Sequence, residues 1–255
     1  MQNPFNERLT RGGLLKSCIE TFGEFSVEFV VVFSLLLIST SLFYFLIHYL
    51  IPEKQNIIDN AAFQIFGPLV SERNTRIAKF FSFLGTGLFL LPSYAVIIIF
   101  LLRKRYNKYA TMISIIVVSS LILGWLLKPM IHRSRPLQPL VTGAGGYSFP
   151  SGHALGGFIF SSILIFLIWK TKYNYFLKWI ITLVISAFGF GVGLSRIYLH
   201  VHYATDVIGS LFVTLAWFSF IYIFFRFFFK HDLHKKENAF IQEPDMISGN
   251  YDFNN

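Results

Sequence analysis

Apolar residues along this chain gather in six long runs, near residues 25–51, 80–102, 110–127, 152–169, 177–195 and 206–229. Each approaches the roughly 20 helical residues that a hydrocarbon core requires. Alternation with period two is missing from the runs, which argues against a barrel of strands, and an open strand in lipid would leave backbone groups without partners. The pattern predicts an all-α protein, a six-transmembrane-helix bundle. Between the first two runs, residues 52–76 carry Ile58, Ala62, Ile65, Phe66 and Leu69 at i, i+4, i+7, i+8 and i+11. That stripe predicts a short amphipathic surface helix after the first span. The expected organisation is a cytoplasmic tail over 1–24, one six-span domain over 25–229, and a polar tail over 230–255 with little fixed structure.

Composition sharpens this reading. Hydrophobic residues make up 54% of the 255 positions and charged ones only 14%, more apolar surface than one soluble core can use. The net charge of +9 would suggest nucleic acid in a soluble protein. Here the basic residues fall between apolar runs, without an interleaved aromatic patch, so no nucleic-acid partner is expected. They report topology instead. The tails and the turns at 103–108 and 170–178 hold fourteen Lys and Arg, against eight on the other side. Positive residues favour the cytoplasm, so both termini are expected inside and the loops holding Arg135 and His202 outside. Cys18 is the sole cysteine, which rules out an internal disulfide. The first apolar run is too long for the core of a cleavable signal and lacks a small-residue cleavage site.

On the predicted outer side, three polar patterns stand at helix ends: Lys128 to Pro136 (K-P-M-I-H-R-S-R-P), Pro150-Ser151-Gly152-His153, and Ser195-Arg196 followed by His202 and Asp206. Singly, each has an ordinary explanation. Lys128 and Arg196 could snorkel toward headgroups, Pro150 and Gly152 could punctuate a helix start, and His202 and Asp206 at i, i+4 could merely pair. Together they place cations, two histidines, a serine and a carboxylate on one face of a membrane, and an anion with several oxygens accounts for that mixture. Lys128, Arg135 and Arg196 would offset its charge. Backbone N–H groups at Ser151 and Gly152, at a helix N-terminus, would cradle it. A histidine is a good nucleophile when its second nitrogen is held by a carboxylate, as Asp206 could hold His202, and His153 could give a proton to a leaving oxygen.

These three patterns, K-x6-R-P, P-S-G-H and S-R-x5-H-x3-D, resemble the signature of the type-2 phosphatidic acid phosphatase superfamily, with every fixed position present over Lys128 to Asp206. The resemblance implies a membrane lipid phosphatase or diphosphatase. His202 would form a phosphohistidine, Asp206 would orient it, and His153 would act as acid and then as base. Lys128, Arg135, Ser151, Gly152 and Arg196 would hold the phosphoryl oxygens. It also implies that no metal and no cofactor is needed, and that the partners are a lipid phosphate or diphosphate and the surrounding membrane lipids. An isoprenoid diphosphate such as undecaprenyl diphosphate, or a glycerophospholipid phosphate, is the expected substrate class, in a bacterial inner membrane. His132 and Arg133 are candidates for meeting a second phosphate. The pattern supplies no role for His200 and no oligomeric state.

Two other readings use the same residues: a phosphotransferase that hands the phosphoryl group to another hydroxyl, and a lipid-phosphate binder or transporter without turnover. The latter would be expected to lack one of the two histidines. Gly189, Gly191 and Gly193 imitate part of a dinucleotide fingerprint but lie inside an apolar run with no preceding strand, which predicts close helix packing instead. His200, His202 and Asp206 make a poor metal site, because the neighbouring cations would repel the ion.

Overall fold

The computed structural model describes residues 27–51, 57–143 and 145–228, all of them helix, turn or loop, with no strand among them. The tails expected over 1–24 and 230–255 lie outside the described residues. Eight helices follow in order: α1 (Val27–Phe45, running on through a wider turn at Leu46–Leu50), α2 (Ile57–Phe66), α3 (Glu72–Leu84), α4 (Gly87–Arg103), α5 (Asn107–Ile131), α6 (Gly152–Trp169), α7 (Tyr175–Tyr198) and α8 (Ala204–Phe228). Five are long and apolar enough to cross a membrane, and α3 with α4, bent by 44° at their junction, adds a sixth where the pair counts as one span. The all-helical fold with five to six candidate spans agrees with the expected bundle.

Helix boundaries follow local chemistry. Ser71 caps α3 by accepting from the Asn74 N–H at 3.2 Å, and Asn174 caps α7 by accepting from Leu177 N–H at 2.8 Å. Ser151 does the same for α6 through Ala154 N–H at 3.5 Å. At its far end α5 stops at His132, which turns into the left-handed region with φ 51°.

Helix α6 occupies the centre, packed by α4, α5, α7 and α8, while α1 lies against α8. Ile159 and Ile163 of α6 share a core with Ile113 and Ile116 of α5, all fully buried. The glycines of α7 are contact points between helices, as expected: a Cβ at Gly189 would come within 2.7 Å of Ser161 Oγ, at Gly191 within 2.8 Å of the Phe81 ring, and at Gly193 within 2.7 Å of Val207. Lipid gives helices no hydrophobic reason to associate, so small residues that allow close approach carry the packing.

A short helix, α2, forms after the first span. The face it turns to α7 and α8 carries Asp59, Ala62, Phe63 and Phe66, whereas Ile58, Ile65 and Leu69 are exposed. Asp59 is drawn inward to accept from Thr205, N–H and hydroxyl both at 2.9 Å. The helix ends before residue 67; the chain turns over 67–71 and starts α3.

Candidate active site

The ends of α5, α6, α7 and α8 that hold the three polar patterns meet at one end of the bundle. The connection from α5 to α6 is fastened there by its backbone: Ser148 N–H donates to Arg133 O at 2.8 Å, and Leu140 N–H to Leu199 O at 3.0 Å. A five-residue turn, Leu199 to Tyr203, joins α7 to α8 and carries His202. His200, for which the sequence offered no role, makes that reversal possible with a left-handed φ of 53° and sets its ring 4.9 Å from Phe63.

His202 is the centre of the arrangement, only 2% exposed. Its Nδ1 lies 3.3 Å from Asp206 Oδ2 and its Nε2 lies 3.1 Å from Arg135 Nη1. A guanidinium can only donate, so Nε2 must be the acceptor and Nδ1 the protonated nitrogen that donates to Asp206. The tautomer is thereby fixed with the Nε2 lone pair facing a cation. Asp206 is fully buried and held by Tyr203 N–H at 2.9 Å, by the Ser148 hydroxyl and by Arg133 Nη1 at 2.5 Å.

The cations converge on the same point. Arg135 also donates to Val201 O at 2.7 Å and to the carbonyls of Gly145 and Gly146. Lys128, in the last turn of α5, reaches Tyr147 O at 3.2 Å. Arg196, on the last turn of α7, donates to the Ser82 hydroxyl from α3, while its Nε is buried and has no protein partner among the described residues. His153, in the first turn of α6, lies within electrostatic range of Arg196, His202, Arg135 and Lys128. At Gly152 an added Cβ would meet no neighbouring protein atom within 4 Å, so α6 borders open space at that residue. The leading N–H groups of such a turn have no acceptor within their own helix. All eight residues singled out from the sequence thus gather here.

Sequence reasoning missed two contributions. The α3–α4 break brings Ser82 to Arg196 and sets Gly85 so tightly against α6 that a Cβ on it would lie 3.1 Å from His153 Cβ. The signal was the L-G-T-G interruption of the second apolar run. The other is Asp59, an acidic residue within the apolar I-I-D-N-A-A-F. Its partner Arg133, a candidate from the sequence for a second phosphate, has its guanidinium forked between Asp59 and Asp206. His132 stays exposed, with its ring 4.4 Å from that of Tyr147.

Burial pushes the His202 imidazole down to about 4, against the pull of Asp206 and with Arg135 and Arg196 acting the same way as burial. The ring is therefore neutral at pH 7. For a substrate whose own phosphate does not titrate between about pH 3 and 7, the limb of kcat/KM set by protonation of His202 should lie near pH 4, with about a tenfold fall per unit below it. An acid limb centred at the ordinary histidine value of 6.5 would show that the free site is not closed around this ring. The same shift removes folding stability as pH falls from 6.5 toward 4, because the unfolded chain takes up the proton first.

A helical bundle of membrane-spanning length, with cations, a helix N-terminus and two histidines converging at one end, defines a membrane enzyme of phosphoryl chemistry. The chain belongs to the PAP2 superfamily of membrane lipid phosphatases, whose family model matches residues 108–230. It is 30% identical over 164 residues to phosphatidylglycerophosphatase B of Bacillus subtilis (strain 168), covering 63% of this chain and 77% of that protein. It is also 30% identical over 130 residues to the undecaprenyl-diphosphatase BcrC of the same organism, covering 49% of this chain and 61% of that protein. The crystal structure of a transmembrane PAP2-type phosphatidylglycerolphosphate phosphatase from Bacillus subtilis superposes with a TM-score of 0.63 at 26% identity, covering 74% of this chain and 94% of that one. Aquifex aeolicus LpxE shares the fold, with a TM-score of 0.50 at 19% identity over 65% of this chain and 94% of its own.

Proposed function

We propose that this protein hydrolyses a lipid phosphate through a phosphohistidine on His202, with no step that requires a metal. The observation that carries the proposal is the fixed tautomer of His202, whose Nδ1–H is held by Asp206 and whose Nε2 lone pair faces Arg135. With substrate bound, Arg135, Arg196 and Lys128 turn their donors to the phosphoryl oxygens, joined by the N–H groups of Ser151 and Gly152 at the start of α6. Nε2 attacks phosphorus, the bond to the lipid oxygen breaks, and protonated His153 gives its proton to that oxygen. His153, now neutral, takes a proton from water. The resulting hydroxide attacks phosphorus, the N–P bond breaks, and phosphate leaves. Positioning and charge stabilisation do most of the work in such a transfer.

A glycerophospholipid phosphomonoester is the first choice of substrate. The more extensive of the two curated likenesses is to a phosphatidylglycerophosphatase. With Arg133 tied to Asp59 and Asp206, three cations remain for one phosphoryl group. The likeness to BcrC supports a second reading, an isoprenoid diphosphate. The basic turns at 103–108 and 170–178 lie at the opposite end of the helices from the site, which supports cytoplasmic termini and a site on the outer side of a bacterial plasma membrane.

The reading is tested by acid-free quenching of a single turnover with lipid labelled in its phosphate. Label that is stable to alkali, labile to acid and carried by the peptide containing His202 is the expected result, unchanged by chelators. Label on another residue, or direct release without a labelled protein, would overturn it. Transfer of the label to an added alcohol instead of water would mark a phosphotransferase.

A further inference from the structure

Behind the site lies a charged cluster that joins Asp206 to groups the reaction does not touch. Arg133 donates from Nη2 to Asp59 Oδ2 at 2.6 Å and from Nη1 to Asp206 Oδ1 at 2.5 Å. The same Nη1 reaches Thr205 Oγ1 at 2.7 Å, and the hydroxyl of Thr205 donates in turn to Asp59 at 2.9 Å. The ring of Tyr203 lies 4.1 Å beneath the guanidinium carbon. The side chains of Arg133, Asp59 and Asp206 are 11%, 4% and 0% exposed. Two buried carboxylates thus share one partly buried cation, and one of the two carboxylates holds His202.

We propose that Asp59 is a positioning residue: through Arg133 and Thr205 it fixes the Asp206 carboxylate, and so sets the aim and the proton of His202. This rests on His202 being the nucleophile. The physical reason lies in charge balance. Arg133 alone beside Asp206 would draw the carboxylate toward itself and weaken its hold on the imidazole. Asp59 takes half of the guanidinium, so Arg133 steadies Asp206 without capturing it. A planar fork is suited to bridging two carboxylates in this way. The bridge also ties α2 to the turn that bears the nucleophile.

The full-length protein in detergent, as wild type, Asp59→Asn, Arg133→Gln and Asp59→Asn/Arg133→Gln, provides the test. Asp59→Asn keeps its shape and an acceptor for Thr205 but loses its charge. It should lower kcat about tenfold to hundredfold with KM changed less than about twofold, since groups supporting a reactive residue act at that scale. Arg133→Gln leaves two buried carboxylates with no cation between them and should be the more damaging change, about a thousandfold. Removing the charge of Asp59 as well relieves that repulsion, so the double variant should regain about tenfold over Arg133→Gln. A role confined to holding the fold together predicts the opposite, a double variant no better than either single one. That result in protein of matched melting temperature, or wild-type kcat in Asp59→Asn, overturns the proposal. If Asp59→Asn does not fold, Thr205→Val, which keeps both charges and loses the hydroxyl link, should still lower kcat at constant KM; an unaltered kcat there would overturn it. Labelling of a residue other than His202 in the wild type refutes the nucleophile, a failure distinct from that of Asp59.

Discussion

His202→Ala is expected to leave less than about one ten-thousandth of the wild-type rate of phosphate release, the scale lost when a covalent nucleophile is removed while the surrounding charges remain. The residual would come from Lys128, Arg135 and Arg196 holding phosphate beside water. The fold should survive, because Asp206 keeps Arg133, Ser148 and the Tyr203 N–H when the imidazole is gone. The cation set is also intact, so vanadate, a mimic of the five-coordinate transition state, should still bind, though without its bond to Nε2. Initial rates on detergent-solubilised protein, with melting temperature as the control for folding, decide the matter. A variant within about tenfold of wild type would show that another group attacks phosphorus, since no rearrangement of nearby donors replaces a nucleophile so cheaply.

His153→Ala should be nearly as costly in steady state, about a thousandfold, but in a way that depends on the substrate. In the first half-reaction the proton matters in proportion to the basicity of the departing oxygen. A lipid alcohol needs it, whereas the phosphate leaving from a diphosphate does not. In the second half-reaction water must be activated whatever the lipid was. The variant should therefore react slowly with a phosphomonoester throughout, yet give a rapid burst of one equivalent with a diphosphate and then stall as the phosphohistidine form. Rapid-quench measurement on both substrates reads this directly. Equal slowing of the burst and of the later phase for both lipids would take His153 out of proton transfer and leave it a binding group.

The spans could be read from the sequence because lipid enforces a single rule, about twenty apolar residues with every backbone group satisfied inside the helix. The residues of the candidate site could also be picked out, and the fold brings them to one end of the bundle. Lys128, His153, Arg196 and Asp206 sit at the ends of apolar helices, where charged or titratable groups need a reason. What could not be read was long-range and polar. Periodicity marked an apolar stripe through Ile58 and Ile65 but gave no sign that Asp59 is buried, because its partner Arg133 is 74 residues away. The same limit left Arg133 as a candidate for a second phosphate, because a sequence does not show which cations the fold has paired. The break between α3 and α4 left only the L-G-T-G interruption as its mark, and two glycines in a sequence show neither the angle of a bend nor what it brings together.

The neighbour of α1 is α8, and near the far end of the bundle from His202 the Tyr222 hydroxyl and Arg226 both reach Glu28, some 194 residues earlier in the chain for Tyr222. During synthesis the first helix is thus released into the bilayer long before its mate exists. It must wait there with Glu28 near one end and the later-buried Ser39 still in contact with lipid. Closure of the bundle therefore awaits completion of α8, and a chain that stops short of it leaves Glu28 without Tyr222 and Arg226.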